Sequence, residues 1–212
     1  MLCVLVELVI KVLFEFVLEE LDAVVVRRFV VEIFSSNLLQ SAEAHAYLAS
    51  RGLGDAKLVE HFKLGYSGLT LAHHLASKNS KQGIGQRAQL ARLGLQRSSG
   101  YPHFMSMLTV PVLSEDGELL EIYGRKLKDQ QREGTPLHLY LPAHGRRGVF
   151  NLAGLRGAKE VIWTEALLDA LTFVTNGFPA TSSSYGTSGF TREMRDALIE
   201  HEVKRVLVAY DA

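Results

Sequence analysis

The sequence predicts an α/β protein whose last third holds a parallel β-sheet. Two short apolar runs in that region, Val161–Thr164 and Val206–Tyr210, are the best strand candidates in the chain. Helical patterns at Ala166–Asn176 and Thr191–His201 lie between them. Alternating strands and helices predict right-handed crossovers and parallel pairing. Since ligands gather at the carboxyl ends of parallel strands, we expect a functional site at that edge.

The composition describes an ordinary globular chain with an uneven charge distribution. The 212 residues are 47% apolar and 22% charged, which suits one large domain or two small ones. The net charge is zero, but the balance is −3 over residues 1–40, +6 over 41–158 and −3 over 159–212. A basic middle beside an acidic end suits a phosphate-handling site, and it equally suits a solvated surface of mixed charge. The single cysteine, Cys3, excludes an intrachain disulfide and favours a reducing cytoplasm.

The N-terminal segment predicts an amphipathic helix over residues 2–21. Its charges recur every four residues, at positions 7, 11, 15 and 19, and the other side is nearly all apolar. The longest uncharged run, Met1–Val6, is far shorter than the roughly 20 residues of a membrane span, and the flanks do not resemble a signal peptide. We therefore expect a soluble segment without a membrane partner. The β-branched stretch from Val24 to Phe34 fits a helix or a strand.

Two capped helices are predicted at the start of the middle region. Ser41 is a candidate N-cap for a helix through Ala49, and Asp55 is one for a helix over Ala56–Phe62. A third helix is expected over Gln86–Leu93. Together these form a small helical module.

A β-hairpin is predicted after the helical module. Met107–Leu113 and Glu118–Tyr123 flank the turn sequence Ser114–Gly117, and His138–Leu141 is a further short apolar run. The hairpin is followed at once by three cations, Arg125, Lys126 and Lys128. Such a run can bind phosphates, although charge runs are more often simply solvated.

Acidic residues mark the ends of both predicted parallel strands. Glu165 follows the first strand, Asp169 lies one helical turn later, and Asp211 follows the second strand. Clustered carboxylates favour a hard cation such as Mg²⁺, but helix N-termini also attract surface carboxylates without any metal. The Ser182–Thr187 segment before the second helix offers amides and hydroxyls for a phosphate, or it is a plain connecting loop.

The acidic motifs resemble a TOPRIM domain, the metal-binding unit shared by DnaG-type primases, topoisomerases and some nucleases. The family pattern has one strand ending in Glu-Gly-x-x-Asp and a later strand ending in Asp-x-Asp. Here the first part reads Glu165-Ala166-Leu167-Leu168-Asp169, with Ala166 where glycine is usual. The second part reads Tyr210-Asp211-Ala212, so the second Asp would lie beyond residue 212.

Upstream motifs narrow the resemblance to DnaG-type primases, especially those of phage and mobile elements. In chain order they are Ala46–Leu53 with Phe62–Tyr66, Leu108–Val112 with Tyr123-Gly124-Arg125, His138–Pro142 with Val149–Asn151, and Gly186-Thr187, spanning residues 42–212. The chain departs from the pattern at His138, where lysine is usual, and at Met105–Met107, where arginine often stands. It also lacks the cysteines of a zinc-binding module.

The resemblance implies a TOPRIM-type parallel core flanked by helices. It would comprise an unassigned segment (1–40), a basic subdomain with the helical module and hairpin (41–158), and a TOPRIM subdomain (159–212). The implied activity is template-directed synthesis of RNA primers on single-stranded DNA from ribonucleoside triphosphates, with Mg²⁺ or Mn²⁺, and with a replicative helicase as partner of a full-length protein. Glu165, Asp169 and Asp211 would be the catalytic metal ligands. The nucleic-acid or nucleotide contacts would be Arg125, Lys126, Lys128, His138, Gly186 and Thr187.

Two alternatives remain open at this stage. A TOPRIM nuclease would use the same acids to cleave DNA instead of extending a primer. A truncated remnant would only bind DNA or a protein partner, through the helix of residues 2–21.

Overall fold

The computed structural model describes residues 23–68, 70–142 and 147–210, which form a mixed α/β fold with two sheets. One sheet has four antiparallel strands and the other has three parallel strands, so the predicted fold class is confirmed. The predicted helix over residues 2–21 and the predicted metal ligand Asp211 lie outside the described residues.

The first described element is helix α1, Ala23–Gln40. The β-branched stretch from Val24 to Phe34, for which the sequence allowed a helix or a strand, is therefore helical. Its buried side chains recur at a helical period, for example Val26, Val30, Phe34 and Leu38. They pack on the antiparallel sheet, and this burial outweighs the strand preference of β-branched residues. The contact is so close that a Cβ on Gly65 would lie 2.7 Å from Cβ of Phe34.

The predicted helix caps are confirmed. Ser41 Oγ accepts a hydrogen bond from the amide of Ala44 at 3.2 Å, and Asp55 Oδ1 accepts one from Leu58 at 2.9 Å. The helices that they start are α2, Ala42–Ser50, and α3, Ala56–His61. Helix α4 covers Lys81–Arg92 and so begins before the predicted Gln86, because the hydroxyl of Ser80 caps it.

The antiparallel sheet contains the predicted hairpin and two short outer strands. Its strands, in spatial as well as chain order, are β1 (Gly65–Ser67), β2 (Met107–Leu113), β3 (Leu119–Lys126) and β4 (His138–Tyr140). Strand β3 runs three residues beyond the predicted end of the hairpin. Arg125 and Lys126 were predicted to follow the hairpin, and this placement is wrong, because both belong to β3 and Arg125 pairs with His138 of β4.

The parallel sheet follows the predicted alternation of strands and helices. In chain order its elements are β5 (Glu160–Thr164), α5 (Leu167–Thr175), β6 (Thr181–Ser183), α6 (Arg192–Glu200) and β7 (Arg205–Ala209). The spatial order is β6-β5-β7, and Thr164 pairs with Ser183 on one side and Ala209 on the other. All three strands therefore end at the same edge. The side chain of Val208 on β7 is 67% exposed.

Two hydrophobic clusters cover the two faces of the antiparallel sheet. One joins α1 and α4 to residues such as Ile122, and the other joins α2, α3 and the parallel sheet to residues such as Tyr123. A short 3₁₀ helix at Thr70–His74 contacts α1, and another at Leu152–Leu155 contacts β6. Among the described helices, none is long and apolar enough to cross a membrane.

Candidate active site

The carboxyl edge of the parallel sheet brings Glu165 together with Gly186 and Thr187. Glu165 follows the central strand β5 directly. Its Oε1 accepts a hydrogen bond from Thr187 Oγ1 at 2.8 Å, and its carbonyl oxygen accepts one from the Gly186 amide at 3.0 Å. Gly186 has φ 86°, a left-handed conformation that suits glycine. Two predicted nucleotide contacts thus hold a predicted metal ligand.

Asp169 lies near enough to Tyr123 of the antiparallel sheet to act on it electrostatically. It lies in the first turn of α5 and is half-buried. Burial raises the pKa of Tyr123 on β3, the neighbouring Tyr140 raises it further, and the Asp169 carboxylate adds to the same effect. The second predicted metal ligand therefore lies near the buried face of the antiparallel sheet.

Arg125 is a buried, oriented guanidinium. Its side chain is only 10% exposed, and its Nη2 donates to Asp129 Oδ1. Its Nη1 is buried and has no hydrogen-bond partner among the described residues. A buried donor without a partner is costly, so this atom is available to an incoming acceptor such as a phosphate oxygen.

His138 lies beside Arg125 on the neighbouring strand. Its Nδ1 is 2.7 Å from Oη of Tyr123, which makes a hydrogen bond between β3 and β4. Burial lowers the pKa of His138, and the charge of Arg125 lowers it further, so its imidazole is neutral at neutral pH. His138 therefore contributes a neutral hydrogen-bonding group to this strand pair.

Lys126 and Lys128 line a second polar site, apart from Arg125. Successive strand residues point to opposite faces, which separates Arg125 from Lys126. Lys126 Nζ donates to the carbonyl of Met105, whereas Lys128 Nζ lies 3.3 Å from Glu43. Both line a cavity of about 260 Å³ together with Tyr66, Ser106 and Gln131. The cationic run of the sequence is therefore divided between two surfaces.

The serine hydroxyls of the Ser182–Thr187 segment form hydrogen bonds inside the protein. Ser182, Ser183 and Ser184 are fully buried, so the predicted phosphate role does not apply to their hydroxyls. Ser184 Oγ accepts a hydrogen bond from Trp163 Nε1 at 2.9 Å and lies 2.6 Å from Oη of Tyr210. It thereby links β5 with the residues that follow β6 and β7. A lone tryptophan on the central strand was the sequence signal for such a partner, since a buried indole N–H needs an acceptor.

The described part of the site offers two carboxylates to a metal ion. Within it, no group of three or more His, Cys, Asp or Glu side chains could hold a metal. Mg²⁺ commonly takes one or two protein carboxylates, with water and substrate phosphates completing its shell. Glu165 and Asp169 supply two carboxylates of this kind, and β7 ends beside β5 at the same edge. The donor set fits Mg²⁺.

We expect the protein to lose stability as the pH falls below about 6.5. Burial lowers the pKa of His103, so the pKa values of His103 and His138 are both below the ordinary 6.5. Below pH 6.5 these histidines bind protons in the unfolded chain before they do so in the folded protein. Their contribution to the free energy of unfolding is therefore fully present above this pH and declines below it. Urea unfolding at pH 7.5 and 5.5 should show a smaller difference for His103→Gln than for the wild type. An equal difference for both proteins would contradict the role of His103.

Comparisons of the sequence and of the structure with known proteins both find similarity to DNA primases. Residues 33–134 match the family described as DNA primase catalytic core, N-terminal domain. The DNA primase of Deinococcus radiodurans is 27% identical over 203 residues, which cover 90% of this chain and 34% of that protein. The chain therefore spans about a third of the length of this curated relative.

Solved structures show the same likeness in three dimensions. The Aquifex aeolicus primase, comprising its zinc-binding and RNA polymerase domains, has a TM-score of 0.67 at 22% identity, covering 86% of this chain and 46% of that one. The DnaG primase catalytic domain bound to ssDNA has a TM-score of 0.66 at 20% identity, covering 86% and 61%. At these identities the comparison shows a shared fold.

Proposed function

We propose that this chain carries the nucleotidyl-transfer part of a primase-type enzyme, which joins ribonucleotides into a primer on single-stranded DNA. The observation that carries the proposal is the Glu165 carboxylate, held by Thr187 at the strand-end edge, with Asp169 one turn away. The match of residues 33–134 and the curated primase relative support the same function. The TOPRIM-like assignment of residues 159–212 and the basic subdomain of residues 41–158 are parts of this proposal.

The acidic residues would bind the metal ion. Mg²⁺ held by Glu165, Asp169 and Asp211 would stabilise the charge that develops during phosphoryl transfer. The Thr187 hydroxyl restrains the Glu165 carboxylate, so this side chain would lose less conformational freedom when the metal ion binds. Asp169 lies on the first turn of a helix that packs under this edge, which restrains the second carboxylate as well.

The cationic residues would bind phosphates of the template or the nucleotide. Among the described residues, the buried Nη1 of Arg125 has no hydrogen-bond partner, and a charge-assisted hydrogen bond in such an environment is stronger than in water. Tyr123 and His138 support this strand pair through their hydrogen bond. Lys126 and Lys128 would bind phosphates at the neighbouring cavity, which both side chains line.

Incorporation of labelled ribonucleotides on a single-stranded template tests the proposal. The assay uses the 212-residue chain and, where the gene extends beyond it, the complete gene product, with Mg²⁺ or Mn²⁺. We expect short RNA products that require both the template and the metal. Absence of template-dependent RNA from either protein would overturn the proposal, and cleavage of labelled single-stranded DNA without nucleotides would replace it with a nuclease.

A further inference from the structure

Two adjoining cavities form a groove along the turn end of the hairpin. The first, of about 390 Å³, lies between α3, the end of β2 and the 3₁₀ helix Leu152–Leu155. The second, of about 610 Å³, lies between the hairpin turn and α6. The residues that line both cavities, and so define this hairpin groove, are Leu113, Ser114, Glu115, Leu152 and Arg156. Both volumes are typical of ligand pockets.

The first cavity of the hairpin groove has an aromatic wall and a free strand edge. The rings of Phe62 and Phe150 stack with their centroids 5.2 Å apart, and both residues line the cavity. Strand β1 pairs with β2 only at Met107–Thr109, so no described strand lies beside Pro111–Leu113 on that side. An extended segment could therefore lie along this edge and place an apolar side chain in the cavity.

The second cavity of the hairpin groove is acidic. Five carboxylates line it together with the guanidinium of Arg156, namely those of Glu115, Asp116, Glu193, Asp196 and Glu200. Glu115 pairs with Arg156 and Asp196 with Arg195. The carboxylates of Asp116 and Glu200 are exposed and have no hydrogen-bond or ion-pair partner within the described part of the chain. They remain available to cations from outside.

Charge distinguishes among the possible occupants of the hairpin groove. Residues 1–22 of this chain carry five carboxylates and one lysine, so they would be repelled by the second cavity. Nucleic acids and nucleotides would be repelled for the same reason. A segment with lysine or arginine side chains complements the carboxylates, and complementary charge both attracts and orients a partner.

We propose that the hairpin groove binds an extended basic segment of a partner protein. One apolar side chain of this segment would occupy the first cavity, and its lysine or arginine side chains would pair with the carboxylates of the second. The groove is separate from the candidate active site, because Glu165, Asp169 and Thr187 line neither cavity. The inference therefore does not depend on the proposed function.

Fluorescence anisotropy tests the charge contact on the full chain. The probe is a short fluorescein-labelled peptide in which one phenylalanine precedes alternating glycines and lysines. We expect the double variant Asp116→Asn, Glu200→Gln to weaken binding about three- to tenfold, since exposed ion pairs contribute modestly. Glu118→Gln is the matched control, because Glu118 is an exposed acid of the same hairpin that lines neither cavity. It should bind the peptide like the wild type.

Two further measurements separate the contact from a loss of folding. Arg156→Gln should strengthen peptide binding about threefold, because it removes a cation that lines the second cavity and frees Glu115 from its ion pair. A misfolded variant would not bind more tightly. A second peptide, with glycine in place of phenylalanine, should bind the unchanged protein about tenfold more weakly, because its apolar side chain is missing.

The contrary results overturn the inference. Equal binding of the peptide by the double variant and Glu118→Gln would mean that the carboxylates of the groove are not the contact. Weaker binding by Arg156→Gln would contradict the charge argument, and equal binding of the two peptides would contradict the apolar anchor. If spermidine binds as tightly as the peptide, the groove selects small cations and not a protein segment.

Discussion

Glu165→Gln should reduce template-dependent RNA synthesis by at least about a hundredfold. Removing one carboxylate charge from the metal site loses several kcal/mol of transition-state stabilisation, and each 1.36 kcal/mol corresponds to about tenfold in rate. The amide has nearly the same shape and still accepts the hydrogen bond from Thr187, so the fold should be unaffected. Primer synthesis is measured with labelled ribonucleotides, and Mn²⁺ binding by electron paramagnetic resonance should weaken in parallel.

Glu160→Gln is the control for this substitution. Glu160 stands at the opposite end of the same strand, where it pairs with the exposed Arg205. Loss of this exposed pair should change neither RNA synthesis nor Mn²⁺ binding. Equal losses in the two variants, or full activity in Glu165→Gln, would contradict a catalytic metal at the strand-end edge.

Trp163→Ala should lower the free energy of unfolding by about 3–5 kcal/mol. The indole is 2% exposed in the central strand of the parallel sheet and packs edge-on against Phe190 at a centroid distance of 5.4 Å. Truncation leaves a large cavity and removes the donor to Ser184 Oγ. Urea unfolding followed by far-ultraviolet circular dichroism measures the loss. A change below about 1 kcal/mol would mean that the sheet does not depend on this residue.

The smaller substitution Ser184→Ala isolates the hydrogen-bond network. It leaves the buried Trp163 Nε1 without its acceptor, which costs about 1–3 kcal/mol. Ser50→Ala is the matched control, because the Ser50 hydroxyl bonds to the Tyr47 carbonyl on the exposed surface. Trp163 is the only tryptophan in the chain, so its fluorescence reports the change in its surroundings directly. Similar stability losses in the two serine variants would contradict the network.

The elements that the sequence predicted well are those governed by local patterns. The Ser41 and Asp55 caps depend on residues three positions away, and the hairpin depends on the turn at Ser114–Gly117. The parallel pairing of β5 with β7 follows from connection rules that hold for any strand–helix–strand unit. The sequence did not decide between helix and strand for the α1 stretch, because its β-branched residues favour a strand whereas the spacing of its apolar residues favours a helix.

The site residues illustrate the limit of local patterns. Arg125 and Lys126 are adjacent in the sequence but contribute to different faces of β3, which depends on where the strand ends. From the sequence, the Ser182–Ser184 hydroxyls were expected to be polar groups of a loop. In the structure they are buried by elements more than 20 residues away in the chain. Neither fact follows from composition or spacing, because both depend on contacts between distant parts of the chain.

By itself, the sequence determined the fold class, the caps, the hairpin, and the position of Glu165 at the end of a parallel strand. These depend on short-range periodicity and on the chirality of strand connections, which are readable in one dimension. Only the tertiary structure decided that Thr187 holds Glu165 and that Asp169 lies near Tyr123 of the antiparallel sheet. It also decided that Arg125 is buried, with one donor that has no partner among the described residues. Burial and hydrogen-bond partners are set by packing between residues far apart in the chain, and packing is a property of the folded molecule.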